Sequence, residues 1–552
     1  MKRTFLLPLL AIVLLFATPS CKQAGKTGLL VPKDAIVAVH VSTESLTSKL
    51  SWEELKQTGW FKKLSDETNN EPVARELLDN PSSAGIDIKT GLTFFLNKQG
   101  QGGYACFQGG LKDAAAFEAT LKKATREEVT IQKKDDLNIV ALGSEAVLTW
   151  NNSRFIFLGD APLGGFNPLG YSEKQMRFDT DSLIEFAKST YKLKGKELLD
   201  SDSKFADLVK SNGDIHFYFS SENYYNGLMG GMLNLFKASE LMEGNVVTGS
   251  LNFDNGKISV TGKQYYGKEL AKILEKYPAK KIDGKLLNRL PSGDLIGFFA
   301  VDAQMDGLVE ILKLTGVDGV ANGYLGKKDL TLQDLAKAFT GEFAMALTGV
   351  ERKTKTIEFE GYEGKKQSFT STSSEPNYVV GVGIRDKNIF DKLFGIMREE
   401  MGGADTLKGV TIRTDNNWFV ASDRQGTADA FLAGNNKPTY AEKLNGHTTA
   451  LYLNFQALFN TIQKESNDLS DSVALKLSMD TWQDIVMYGD QGKGSGDFTF
   501  EVNMVDKNTN SLKQINQYVD RLASIRDERR KKLTEQWDQM VDTTAAVSPA
   551  LQ

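Results

Sequence analysis

The sequence predicts an α+β protein built as two similar tandem halves, each a mainly antiparallel sheet with helices packed on one face. Three observations carry that expectation. The opening Leu30–Leu50 (LVPKDAIVAVHVSTESLTSKL) recurs in outline at Leu290–Leu314 (LPSGDLIGFFAVDAQMDGLVEILKL). In each, a Pro and an acidic residue lead into an alternating apolar run and then an amphipathic stretch, which reads as a strand feeding a helix. Features downstream of the two openings recur in the same order. At 552 residues the chain also exceeds what one core serves, since single cores stop growing near roughly 250–300 residues.

In the first half, Ile36–Val41 reads as a strand buried on both faces. Ser51 and Glu54 form a capping box that starts a helix through Trp52 and Leu55, and Gly59 interrupts it before Trp60, Phe61 and Leu64 resume the apolar face. Leu92–Leu96 and Tyr104–Gln108 are strands. Asp113 then caps a helix over Ala114–Ala124, with Phe117 and Leu121 on one face. Val129–Ile131, Ile139–Leu142, Ala146–Trp150 and Phe155–Leu158 follow as antiparallel strands, with Asn151-Asn152 turning between the last two. Residues 182–210 are helical around Phe186 and Phe205, Ile215–Phe219 is a strand, and Tyr224–Phe236 is a helix interrupted by glycine. A hairpin over Val246–Phe253 and Ile258–Tyr265, turning at Asn255-Gly256, and the amphipathic Glu269–Tyr277 close the half, with Pro278 and Lys280–Gly284 as linker.

The second half repeats this order. Phe343–Val350 parallels Leu92–Leu96, and Gly383–Asp386 with Phe390-Asp391 matches Gly110–Asp113 with Phe117-Glu118. Val410–Ile412 echoes Val129–Ile131, and Asn416–Phe419 echoes the Asn151–Phe155 turn. Tyr440-Ala441-Glu442 ahead of Ala450–Leu453 corresponds to Phe205-Ala206-Asp207 ahead of Ile215–Phe219. Phe498–Met504 stands in place of the hairpin and Leu512–Leu522 in place of its closing helix. Leu512, Ile515, Val519 and Leu522 make a seam, and past the charged run Asp527–Lys532 the residues Leu533 and Trp537 stay apolar at i, i+4. This helix either lies back on its own domain or forms a partner-binding arm. The halves accordingly span residues 30–285 and 286–541, and 542–552 are expected to be a disordered tail.

At the other end, Lys2 and Arg3 precede the apolar run Phe5–Phe16, and small or turn-forming residues follow through Cys21. This is the layout of an export signal over residues 1–20, and its apolar run is too short to span a bilayer. It resembles a bacterial lipoprotein signal, in which a cysteine directly after the cut takes the lipid. That resemblance makes Cys21 the lipid-attachment site. Ser20 fits the small residue before it, while Thr18 and Pro19 depart from the common Leu-Ala pattern. The alternative is ordinary secretion with Cys21 free. Residues 21–29 read as a flexible tether without acidic residues, which favours the periplasmic face over the cell surface. Taken together, the signal, the Val31–Ala35 opening (VPKDA), the Gly85-Ile86-Asp87 turn and the Trp482–Gly489 stretch resemble a family of uncharacterised Bacteroidota lipoproteins known as a domain of unknown function. The resemblance spans nearly the whole mature chain. It implies location and architecture and brings no catalytic residues.

Composition excludes several classes. With 41% hydrophobic and 25% charged residues the chain is neither a membrane bundle nor a disordered polymer, and a formal charge of −5 argues against a nucleic-acid partner. Cys21 and Cys106 are the two cysteines; once Cys21 is modified no disulfide framework is possible, and Cys106, in an apolar run, reads as a core residue. His40, His216 and His447 are scattered, with no i, i+4 pair, so the sequence offers no metal site of a common zinc type and implies no cofactor. Ser495 lacks the flanks of a nucleophile elbow, and Gly492–Gly496 reads as a flexible connection, since it does not match a phosphate loop. Asp506, Asn508 and Asn510 alternate as in a calcium loop, but Ser511 and Gln517 replace its Gly and closing Glu, which leaves a turn capping the last helix. The pairs Asp179/Asp181 and Asp200/Asp202 read as solvated carboxylates. Tyr224-Tyr225 and Trp418-Phe419 read as core, with the alternative of lining a cleft between the halves. No catalytic residue is assigned. The expected function is a lipid-anchored envelope protein, non-catalytic, held to the membrane by its lipid. It would bind an envelope protein or glycan through the cleft between the halves or the C-terminal helix. The competing expectation is a hydrolase of envelope polysaccharide or peptidoglycan that uses carboxylates. Oligomeric state is left open.

Overall fold

The computed structural model describes residues 29–546 apart from 69–74, 76–77, 101, 126–128, 162–176, 229–237, 293–294, 361–365, 401–408, 439, 441–443 and 465–468. The expected signal, Cys21, most of the tether and the last six residues lie outside the described residues.

Eighteen strands form one sheet, and every pairing is antiparallel. They are β1 (Val37–Val41), β2 (Ile86–Gln99), β3 (Gly102–Leu111), β4 (Gln132–Lys134), β5 (Leu137–Ala141), β6 (Ala146–Trp150), β7 (Arg154–Asp160), β8 (Ile215–Ser220) and β9 (Val246–Asp254), followed by β10 (Lys257–Tyr265), β11 (Gly297–Asp302), β12 (Phe339–Glu360), β13 (Lys366–Ile384), β14 (Thr411–Thr414), β15 (Trp418–Ser422), β16 (Thr449–Asn454), β17 (Trp482–Gln491) and β18 (Ser495–Met504). Tracing the paired registers gives the order β4-β5-β6-β7-β3-β2-β1-β8-β9-β10-β18-β17-β16-β11-β12-β13-β15-β14. The chain is therefore α+β, but one continuous sheet replaces the two separate sheets expected. It is stitched at the middle by β10 and β18, from Lys257 opposite Asn503 to Tyr265 opposite Ser495.

Helices pack on both faces, contrary to the one-face expectation. In the first half, α1 (Thr43–Lys49), α2 (Trp52–Lys56), α3 (Gly59–Glu67) and α4 (Ala114–Ala124) accompany one face, where Leu92 and Phe155 pack with Trp52, Leu55 and Phe117. On the other face, α5 (Thr180–Lys192) and α6 (Ser203–Lys210) bring Leu183, Ala187 and Phe205 against Ala38 and Phe95. Leu92 and Phe95 are an odd number of residues apart on β2, so the pleat sends them to opposite faces. The cause is visible in the burial: the central strands are apolar at consecutive positions, and both surfaces have to be covered. The half closes with α7 (Lys268–Lys276), and α8 (Met305–Leu314) follows β11. Further on, α9 (Lys387–Glu400) sets Phe390 and Phe394 on Phe419, while α10 (Gln425–Ala433) sets Phe431 with Val420, its neighbour, on the opposite face.

The last helix, α11 (Ser511–Ala546), lies back on its own half, where Tyr518 meets Ser478 at 2.8 Å and the Trp482 ring, and it also crosses to the first half. Trp60 donates its backbone N–H to Asp520 and its indole N–H to Asn516, both at 2.9 Å; Lys513 reaches Glu54, and Lys63 pairs with Asp527 at 2.8 Å. In the reverse direction α7 packs on α8. There Gly307 is required, because a Cβ would come within 2.9 Å of Tyr277 Cβ.

Local signals behave as their chemistry demands. Ser51/Glu54 form the capping box, Asp113 accepts from Ala115 and Ala116, and Asn510 accepts from Leu512 at the start of α11. Four expectations are corrected. Val129–Ile131 is not a strand; β4 begins at Gln132. The expected flexible connection Gly492–Gly496 is instead the Gly492–Gly494 turn and the first residues of β18 in a complete β17–β18 hairpin, where Gly492 donates to the Ser495 carbonyl at 2.8 Å, so the second half keeps the hairpin. The helix α11 runs into the stretch expected to be disordered, reaching Ala546. β12 and β13 run far past Val350, pairing as far as Glu360 and Lys366, and residues 351–360 and 366–375 project as a two-stranded ribbon beyond β11 and β15.

Candidate functional site

A cleft of about 580 Å³ opens at one end of β8, where the chain enters the fold. Its walls come from Pro32–Asp34, from the turn after α5 and from the start of α6. The floor is Tyr218, Ser220 and Val246, all nearly buried. Three cations, Lys33, Lys196 and Lys204, face four carboxylates, Asp34, Glu197, Asp202 and Glu222. Each carboxylate is held by a named donor: Asp34 by Asn97, Glu197 by the Lys194 N–H, Asp202 by the Lys204 N–H at the cap of α6, and Glu222 by the Gly244 N–H. Asn223 bonds the Ala35 carbonyl, which ties the helix after β8 to the entering strand. Burial pushes the Tyr218 hydroxyl up to about 12, and Asp202 adds to that, so it stays a neutral donor. The arrangement is a polar trough of mixed sign. It lies within the first half and not between the halves.

Two histidines that the sequence keeps apart are brought together. His40 and His216 are register partners on β1 and β8, with rings parallel at 6.4 Å. They belong to a polar row that crosses five strands, Gln108, Thr93, His40, His216 and Ser250. His40 Nδ1 lies 3.0 Å from Thr93 Oγ1 and His216 Nδ1 lies 2.8 Å from Ser250 Oγ. Gly91 and Gly213 make the space: a Cβ on either would fall within 2.6 Å of an imidazole carbon. Nearby Asp214, fully buried, is satisfied by Ser45, Lys49 and the Phe253 N–H, each at 2.6 Å. Asp214 is thus satisfied by three donors, as a structural carboxylate is.

The second half presents a different pair of acids. His447 Nδ1 lies 2.8 Å from Asp490 Oδ2 with its ring stacked on Tyr488, and the linker bonds here through Ile282 N–H to the His447 carbonyl. Across β16, Asp302 ends β11 opposite Glu342, and its Oδ1 is buried without a hydrogen-bond partner among the described residues. Burial raises the Asp302 carboxyl to about 6; Lys280 opposes this, while Glu342 and Asp283 add to it. Such a carboxyl can carry a proton near neutrality. At 7% exposure, however, it offers a substrate almost no surface. No sequence signal marks Asp302, because its environment comes from the linker and a strand 40 residues away.

The remaining singled-out residues have structural places. Cys106 is buried, and burial pushes its thiol well up. Asp179 caps α5, accepting from the Ser182 N–H, and Asp202 belongs to the cleft. Trp418 is buried beneath the Arg289 guanidinium at 4.7 Å, Phe419 packs on α9, and Tyr224 leans on Phe219. Ser495 starts β18. Among the described residues, no group of three His, Cys, Asp or Glu side chains is placed to hold a metal ion, and no helix is long and apolar enough to cross a membrane. In comparison with known proteins, the profile of a family described as a domain of unknown function, DUF4836, matches residues 28–373. No curated protein and no solved structure matches.

Proposed function

The chain belongs to the DUF4836 family, a domain of unknown function, and on that premise we propose that it is a lipid-anchored, non-catalytic binding protein of the cell envelope. The observation that carries the reading is the cleft. Its seven ionic side chains are of both signs, and its carboxylates are held by amide donors, which suits them to hydrogen-bond a ligand and not to exchange protons with one. The matching ligand is polar and carries hydroxyl and amide groups, as a glycan or a peptide of the envelope does. The anchor reading rests on the residues around Cys21. Ten residues lie between Cys21 and Pro32, a reach of at most about 40 Å, which would hold the cleft close to the membrane surface. The competing hydrolase reading rests on Asp302, whose raised carboxyl resembles a general acid.

We also infer that the two halves descend from one duplicated unit. Strand order supports it. Moving outward from the central pair β10/β18, the successive pairs are β9/β17, β8/β16, β1/β11, β2/β12, β3/β13, β7/β15 and β6/β14, in matching chain order, and among the described residues only the β4–β5 hairpin lacks a counterpart. In this frame His40 and His216 stand where the second half has the pair Ala300 and Ala450.

Mass spectrometry of the N-terminal peptide tests the anchor. A diacylglyceryl adduct on Cys21, and release of Cys21→Ala from the membrane fraction, are expected; an unmodified Cys21 refutes it. Crosslinking in intact cells followed by capture tests binding. A recurrent envelope component, weakened by changing Lys204 and Asn223 to Ala, is expected, and capture unaffected by those changes counts against the cleft.

A further inference from the structure

The two faces of the sheet's middle strands are covered unequally. Ala300, Ala344, Ala346, Ala450 and Val486 point to one face and are all buried. Their neighbours along the strands point to the other. There Met345, Phe299, Leu451, Met487, Phe500 and Val260 are successive register partners on β12, β11, β16, β17, β18 and β10. All six are half-buried or exposed, and none joins a buried cluster among the described residues. The helices packed on this face meet its outer strands, at Leu92 and Phe155 and at Phe419. Apolar surface left open in the middle of a sheet marks a binding site.

The next row along the strands is lower. Gly489, Phe498, Gly262, Gly249 and Phe217 are register partners on β17, β18, β10, β9 and β8. A Cβ on Gly249 would strike the Phe217 ring and one on Gly262 the Phe498 ring, so both rings lie over glycine backbone. They floor a trough with aromatic faces, bordered by Met487, Phe500 and Val260 of the first row. One row is about 7 Å wide, twice the rise per residue, which is narrower than a helix at about 10–12 Å.

We propose that this trough holds the fatty-acyl chain of a diffusible lipid. Neither row carries an ionic side chain, so the matching occupant is uncharged along its length. All five strands of the lower row are paired on both sides, and their amides and carbonyls are spent in the ladder. A peptide or glycan laid across them would give up hydrogen bonds to water and find no replacement. A hydrocarbon chain gives up none and gains apolar burial. The polar cleft is a separate site, since Tyr218 points from β8 to the face opposite Phe217.

The test titrates the full chain, in a bile-salt detergent without an acyl chain, with a fluorescent fatty acid displaced by palmitate. Saturable binding is expected. Gly489→Phe fills the trough, where an added Cβ meets the Asp497 carbonyl at 3.6 Å, and Met487→Glu sets a charge at its border on a side chain 37% exposed. Each should weaken binding by at least about tenfold with the unfolding curve unchanged, while Lys204→Ala in the cleft should leave it alone. No saturable binding overturns the proposal, as does binding indifferent to both trough variants. Binding seen only after Cys21→Ala would give the trough to the protein's own anchor. A dimer in sedimentation that Gly489→Phe splits would give it to a second copy. Either result overturns the proposal too.

Discussion

Gly91 and Gly213 are fixed by the imidazoles they face, and comparing Gly91 with Gly143 separates steric cost from backbone cost. At Gly91, φ is +72° and an added Cβ would meet both the His40 ring and the Val41 carbonyl; at Gly143, φ is +79° with open space around it. Gly143→Ala should cost about 1 kcal/mol, the left-handed backbone alone. Gly91→Ala should cost about 2–4 kcal/mol, since the ring and strand must also shift; equal losses in denaturant midpoint would contradict the packing described. Asp302 gives a signed pH effect. Its carboxyl is raised from 3.8 to about 6 on folding, so its contribution is most favourable below pH about 4 and is lost as pH rises through about 6. Asp302→Asn should therefore stabilise the protein at pH 7, by on the order of 2 kcal/mol, and leave it unchanged at pH 3.5. A gain of the same size at both pH values would remove ionisation as the cause. Such residues are illegible in the sequence for one reason: what they touch arrives from far along the chain. His40 and His216 are 176 residues apart and read as two isolated histidines until β1 and β8 pair.

At the scale of elements, whatever is decided locally was legible. The Ser51 box, the Asp113 cap and the Asn255-Gly256 hairpin all depend on contacts within a few residues. The β12–β13 ribbon was missed because Lys353–Thr356 and Ser368–Ser374 carry no apolar alternation; it buries neither face, so no pattern is imposed on it. The seam on α11 was readable as a seam against its own half, which Tyr518 meets at Ser478 and Trp482, but its second partner was not. That second partner is the first half, through Trp60, and the interactions predict a graded helix. Amide exchange should be slow over Leu512–Asp527 and fast past Arg529. Trp60→Ala removes two anchoring contacts and should speed exchange over Leu512–Asp527 with a loss of about 2 kcal/mol; unchanged protection there would detach Trp60 from the account. The Glu54–Lys513 pair contributes little at neutral pH because both side chains are partly exposed. The Lys513 hydrogen bond holds Glu54 down at about 2, so what it adds is present above pH about 4.5 and lost as pH falls toward 2.

For the whole molecule, one sheet of 18 strands among the described residues carries helices on both faces, and each half's closing helix touches both its own half and the other. The duplication proposed above rests in the sequence on ordered echoes of apolar alternation and turn residues. That the halves would share a sheet was not visible, since the joining pair β10/β18 brings together residues more than 200 apart whose pattern suits any neighbouring strand. The cleft was likewise hidden, as its walls come from five separate segments. The central proposal is that this molecule binds an envelope polymer without changing it. The most direct measurement incubates the purified protein with cell-wall and capsule glycan, then follows retention on the polymer and release of fragments together. The account predicts saturable retention that Lys204→Ala weakens, with no fragments above the buffer control. Fragment release that Asp302→Asn abolishes would contradict it and make the protein a hydrolase.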